Sequence, residues 1–264
     1  MDAHMDAVRD RGARKFAARM ARFFANPRKD VKLAEGVRVY AVGDVHGCSA
    51  ELDRLMDKIL QDRAGRPGSC HLVFVGDYVD RGPDSKGVVD RLLAPPVGFE
   101  ICCLRGNHEQ ALLDFLDDPG VFRIWRDFGG RETLLSYGVT PPRFDDAAAF
   151  EEARAQLRFL LPPAHLGFFQ KLPLSTSIGG YFFAHAGVRP GVSLERQIAD
   201  DLLWIRDEFL ISPVDFGKVV VHGHTPTSAP VQRANRIGVD TGAYATGCLT
   251  AAVLEADTCR FLST

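Results

Sequence analysis

Val37-Arg38-Val39-Tyr40-Ala41-Val42-Gly43-Asp44-Val45-His46-Gly47 reads as a strand running straight into a glycine-bounded loop that bears two metal-ligand side-chain types. Apart from Arg38 its first six residues are apolar, as a buried strand requires. Leu52, Leu55, Met56, Ile59 and Leu60 then follow the i, i+3, i+4, i+7, i+8 spacing of an amphipathic helix, with Ser49 as its expected N-cap. The unit recurs twice. A strand over 71–75 leads into Gly76-Asp77-Tyr78-Val79-Asp80-Arg81-Gly82-Pro83, and one over 100–104 leads into Arg105-Gly106-Asn107-His108-Glu109. Ala111, Leu112, Phe115 and Leu116 place a helix after the third strand. Strands alternating with helices predict an α/β fold with a largely parallel inner sheet.

The pattern changes beyond this unit. Residues 119–175 carry helical stretches, one expected over 151–161, broken at Pro141-Pro142, Pro162-Pro163 and Pro173. They read as a helical insertion, or a cap beside the site. Strands return over 181–184, 218–221, 236–239, 249–254 and 259–262, as an antiparallel portion or a second sheet. Residues 1–32 are rich in Arg and Lys, with Phe16, Met20, Phe23 and Phe24 at helical spacing. They predict a basic amphipathic helix ending at Pro27, able to contact a membrane surface, a partner or the body of the same chain. The rest, 33–264, reads as one catalytic domain.

Composition bounds the answer without choosing it. The chain has 264 residues, 46% of them hydrophobic, 25% charged, with a net charge of −2. That length buries a sizeable core without staples. The absence of a strong positive balance argues against nucleic-acid binding. Six cysteines without a CxxC pair, and an N-terminus with charges throughout, read as reduced thiols in a cytoplasmic protein. No apolar run reaches the ~18 residues of a membrane span.

The polar residues carry the chemistry. Asp44, Asp77 and Asn107 each follow a glycine just past a strand, and His185 and His224 follow later strands. Ligands bind outside the carboxyl ends of strands in such sheets, so these five and His46 should converge on one rim. One such residue alone is usually a turn or cap residue. Six together, flanked by glycine or small residues, point to metal. Carboxylate, imidazole and amide oxygen without thiolate suit Mn, Fe or Zn in an open catalytic site. Two ions about 3.5–4 Å apart can clamp a phosphoryl group.

Gly43-Asp44-Val45-His46-Gly47, Gly76-Asp77-Tyr78-Val79-Asp80-Arg81-Gly82, Gly106-Asn107-His108-Glu109, His185-Ala186-Gly187 and Gly223-His224 occur in one order. They resemble the signature blocks of the serine/threonine phosphoprotein phosphatase family of calcineurin-like metallophosphoesterases. That group includes bacterial and phage protein phosphatases and symmetrical diadenosine tetraphosphatases. The resemblance implies a β-sandwich flanked by helices, with the strands after residue 180 forming the second sheet. It implies two divalent metal ions, with Mn²⁺ first in order and Fe or Zn as alternatives. Asp44 and His46 would hold the first, Asp77 would bridge, and Asn107, His185 and His224 would hold the second. Of the two histidines in His222-Gly223-His224, the family's Gly-His pair selects His224. Arg81 and Arg206, the latter in Leu203-Trp204-Ile205-Arg206, would bind phosphate oxygens together with Asn107 and His108. His108 would protonate the leaving group with Asp80 orienting it, and a metal-bridging hydroxide would attack phosphorus directly. Asp240-Thr241-Gly242-Ala243 is expected to support the site without a metal bond. Tyr244 is a candidate cleft residue, Arg105 a candidate phosphate contact and Cys48 a candidate oxidation-sensitive thiol. Each of these three has an ordinary structural reading beside it.

The expected function is a dinuclear metal-dependent phosphomonoester hydrolase. A serine/threonine protein phosphatase comes first, and a hydrolase of dinucleoside polyphosphates or other nucleotides is the alternative. The substrate would be a phosphoprotein or a phosphorylated small molecule. A non-catalytic phosphate-binding scaffold is the reading from another class, but a scaffold would be expected to have lost some of these residues.

Overall fold

Two five-stranded sheets stack face to face with helices on both outer sides in a computed structural model describing residues 31–264. With strands numbered in chain order, the first sheet runs β10 (Thr258–Ser263), β9 (Thr250–Glu255), β1 (Val37–Val42), β2 (Ser69–Phe74), β3 (Glu100–Cys103), and the second β4 (Ser175–Ile178), β5 (Tyr181–Ala184), β6 (Val219–His222), β8 (Arg236–Gly238), β7 (Val231–Gln232). β1, β2 and β3 are parallel neighbours. α1 (Ser49–Arg63) and α2 (Ser85–Leu93) connect them, and α3 (Asn107–Asp117) follows β3.

Strand alternation builds the layers. Val39 and Ala41 of β1 face the second sheet and pack with Phe183, Val219 and Val221. Tyr40 and Val42 point the other way, into a core shared with Leu52 and Leu55 of α1 and Val88 of α2. Phe182 and Val220 face outward from the second sheet onto Leu202, Ile205 and Phe209.

Three local expectations are corrected. β9 (Thr250–Glu255) and β10 (Thr258–Ser263) lie in the first sheet, with β9 antiparallel to β1, and not in the second. Ala251 and Val253 of β9 face the helices while Ala252 and Leu254 face the other sheet. A strand apolar on both faces carries no mark of which sheet it joins. Second, Ser49 is the first residue of α1, and Cys48 holds the cap position without a side-chain bond to the helix. Third, β4 begins the second sheet before residue 180.

The stretch 119–175 is helical over most of its length. Short turns lead to α4 (Gly130–Ser136), α5 (Ala147–Leu160) and α6 (Pro163–Lys171). Phe122, Trp125, Leu134, Phe150 and Phe169 are buried in the core over the first sheet. The expected helix of residues 1–32 falls outside the described residues, except for Val31 and Lys32. Val31 is buried between the sheets, and the Lys32 carbonyl accepts from the Gly180 N–H.

Candidate metal centre

The site is built on strained loop backbone. His46, Asp77, Asp80, Arg81 and His224 all have positive φ, between 44° and 72°. Such conformations cost non-glycine residues about 1–3 kcal/mol each and persist only where the surroundings impose them. Gly76 allows one close approach between loops: a Cβ there would lie 2.7 Å from the Gly106 nitrogen and 2.9 Å from His185 Nδ1.

One buried carboxylate ties two of these loops together. Glu109 accepts from the backbone N–H groups of Asp77 and Gly106 at 2.9 Å, Tyr78 at 2.7 Å and Val79 at 3.2 Å. Burial and the neighbouring Asp77 push its carboxyl up to about 7. The sequence reading gave Glu109 no role, although its place three residues after Gly106, at the start of α3, is that of a capping-box acid. Replacing it with glutamine is expected to cost on the order of 3 kcal/mol, because an amide cannot accept all four bonds. Thermal unfolding of the metal-free protein measures the loss, and calorimetric Mn²⁺ titration should show weakened binding beside it.

The predicted ligand residues converge. His185 Nε2 lies 2.8 Å from Asn107 Oδ1, 3.1 Å from His224 Nδ1 and 3.3 Å from Asp77 Oδ2. His224 Nδ1 lies 2.8 Å from the same Asn107 oxygen. On the other side of Asp77 Oδ2 stand His46 Nε2 at 3.6 Å and His108 Nε2 at 3.7 Å. Two candidate ligand groups result, His46–Asp77–His108 and Asp77–His185–His224, with Asp77 common to both. One oxygen of Asp44, which the resemblance pairs with His46 at the first metal, accepts from the His224 N–H at 2.9 Å. Its other oxygen is buried without a partner.

Three observations show that divalent cations fit. Asp44 Oδ1, His46 Nε2 and His224 Nε2 are buried without hydrogen-bond partners, which is costly unless something else satisfies them. His46 Nδ1 and His185 Nδ1 donate to the carbonyls of Val79 at 2.9 Å and Val75 at 3.0 Å, leaving each Nε2 lone pair aimed into the cluster. Burial pushes His46 down to about 3, and burial with His185 pushes His224 down to about 2, so both rings are neutral, the form that ligates. The carboxylates are crowded. Burial, Asp240 and Asp77 raise Asp44 well above its ordinary value. Asp77, which burial alone would raise, is held well below by His185 and His108.

The remaining candidates divide. His108 Nδ1 donates to Asp80 Oδ2 at 2.6 Å; burial lowers the ring's pKa, but Asp77 and Asp80 raise it above the ordinary value on balance. Arg81 donates to His108 Nε2 at 3.2 Å and lies 4.7 Å over the Tyr244 ring. Arg206 is exposed, its guanidinium 3.5 Å from the Thr225 hydroxyl near His224. Phe128, Trp204 and Tyr244, 45%, 43% and 41% exposed, stand edge-on to His108, His224 and His46, so three rings rim the cleft. Arg105 turns away, to Gln110 and the carbonyls of Phe169 and Gln170. Asp240 is buried and accepts from the Gly242 N–H. His222 packs against Phe209, and burial pushes it down to about 4. Cys48 is buried with its thiol pushed up to about 11, which disfavours the reactive thiolate. Trp125 and Thr133, which the sequence reading passed over, both bond Asp80.

A family model described as calcineurin-like phosphoesterase matches residues 37–255. The serine/threonine-protein phosphatase 1 of Salmonella typhimurium is 31% identical over 82% of this chain and 92% of its own. The asymmetrical bis(5'-nucleosyl)-tetraphosphatase PrpE of Anoxybacillus flavithermus is 27% identical over 80% of this chain and 87% of its own. Among solved structures, a putative diadenosine tetraphosphatase superposes with a TM-score of 0.55 at 23% identity, covering 88% of this chain and 98% of that one.

Proposed function

Because the chain belongs to the calcineurin-like phosphoesterase family, we propose that this metal-dependent phosphoester hydrolase acts on phosphoserine and phosphothreonine in proteins. The cation supply carries the reading. Arg81 and Arg206 suit the oxygens of one phosphoryl group, while Arg105, which could have served a longer phosphate chain, is committed elsewhere. The Salmonella phosphatase, similar over most of both chains, supports it.

His108 donates the proton to the leaving oxygen, oriented by Asp80. Its Nε2 accepts from Arg81 in this structure. Arg81 turning to a phosphoryl oxygen frees that nitrogen to carry the proton. Asn107 adds an amide beside the phosphoryl group. Two divalent ions, Mn²⁺ in our proposal, held by Asp44, His46, Asp77, Asn107, His185 and His224, would supply activated water and charge neutralisation at phosphorus.

The aromatic rim favours a second reading. Phe128, Trp204 and Tyr244 could stack nucleobases, as a dinucleoside polyphosphate hydrolase needs. With Mn²⁺ present, kcat/KM for a phosphothreonine peptide is expected to exceed that for diadenosine tetraphosphate. The reverse ranking would replace the first reading with the second.

A further inference from the structure

Asp80 is bonded more heavily than orienting one imidazole requires. Its Oδ2 accepts from His108 Nδ1 at 2.6 Å and from the Trp125 indole N–H at 2.7 Å. Its Oδ1 accepts from the Thr133 hydroxyl at 2.6 Å. The Thr133 oxygen in turn accepts the Asp80 backbone N–H at 2.8 Å, and the Ser85 hydroxyl accepts the same N–H at 3.1 Å. Asp80 is fully buried with φ of 72°, so these contacts hold a strained backbone as well as a carboxylate.

Neither donor belongs to the glycine-bounded loops. Trp125 and Thr133 come from the helical stretch after α3, which packs as part of the core. Trp125 is wedged there, its ring centroid 5.1 Å from Phe115 and 6.2 Å from Phe122. A Cβ on Gly130 would sit 2.4 Å from its ring. The indole has no room to follow Asp80 if the carboxylate turns.

We propose that Trp125 and Thr133 are positioning residues for proton donation. They lock Asp80 at both oxygens and through it fix the His108 ring at the leaving-group oxygen. The proposal rests on reading His108 as the proton donor. Without the indole bond, Oδ2 would be held by His108 alone, and carboxylate and imidazole could rotate together. The cost should appear where protonation matters. An alkoxide leaving from phosphothreonine needs a proton in the transition state, and a nitrophenolate needs little help.

The test compares kcat/KM for a phosphothreonine peptide and para-nitrophenyl phosphate in the Mn²⁺-loaded enzyme. Trp125→Phe, Thr133→Val, Thr133→Ser and His108→Asn are measured beside wild type. Trp125→Phe and Thr133→Val are expected to lose at least about tenfold more on the peptide than on the aryl ester, as His108→Asn does. Thr133→Ser, which keeps the hydroxyl, should restore the wild-type ratio. In the metal-free protein, the His108 ring N–H proton should exchange with water faster in Trp125→Phe than in wild type. Equal losses on both substrates, or an unchanged ratio beside a steepened one in His108→Asn, would overturn the proposal alone. An unchanged ratio in His108→Asn would overturn the proton-donor reading and the proposal with it. If Trp125→Phe fails to fold, the Thr133 pair decides.

Discussion

Replacing Asp77 with asparagine is expected to abolish turnover, by at least about a thousandfold even at saturating Mn²⁺. Asp77 is the one side chain common to both candidate ligand groups, with its Oδ2 between His46 and His108 on one side and His185 on the other. An amide offers one neutral oxygen where a charged one must bridge two cations. The same substitution weakens the loop, because Asp77 Oδ1 accepts from the His108 backbone N–H at 3.1 Å. Loss of metal and loss of rate should therefore come together, and metal content after dialysis checks the first. Full retention of both metals with activity lost would assign Asp77 a purely catalytic role and sink the bridging assignment.

His108→Asn should lower kcat on a phosphothreonine peptide by about a hundredfold to ten-thousandfold with KM little changed. The imidazole is anchored at Nδ1 by the Asp80 carboxylate and bonded at Nε2 to Arg81. Asparagine is too short to keep both contacts and cannot donate a proton at the same place. His108 also lies 3.7 Å from Asp77, so metal content must be measured in the variant. A fall in rate with both metals present supports proton donation. Loss of one metal would instead make His108 a ligand, as its membership of the first candidate group allows.

Much of this arrangement was legible in the chain. The apolar run 37–42 followed by Gly43-Asp44 marks a buried strand ending at a polar loop, and β1 does run into a buried Asp44. Asp77 and Asn107 were legible for the same reason. What escaped has physical causes. β9 is apolar on both faces, so periodicity found the strand but not its sheet. β4, Ser-Thr-Ser-Ile, is an edge strand without a hydrophobic signature. The stretch 119–175 reads as a helical insertion or cap because prolines break it, and that pattern does not tell that Trp125, Phe150 and Phe169 pack in the main core. Contacts such as Trp125 with Asp80, 45 residues apart, depend on tertiary packing that no local spacing encodes. Glu109 could have been found: it sits at a capping position inside a recognised block.

Calorimetric titration of Mn²⁺ into the EDTA-treated protein tests the central claim most directly, with aryl phosphate turnover followed on the same samples. Two ions per chain, with activity rising as the pair fills, is the predicted result. One ion per chain at full activity, or turnover undiminished in EDTA, would contradict a dinuclear site built on Asp77.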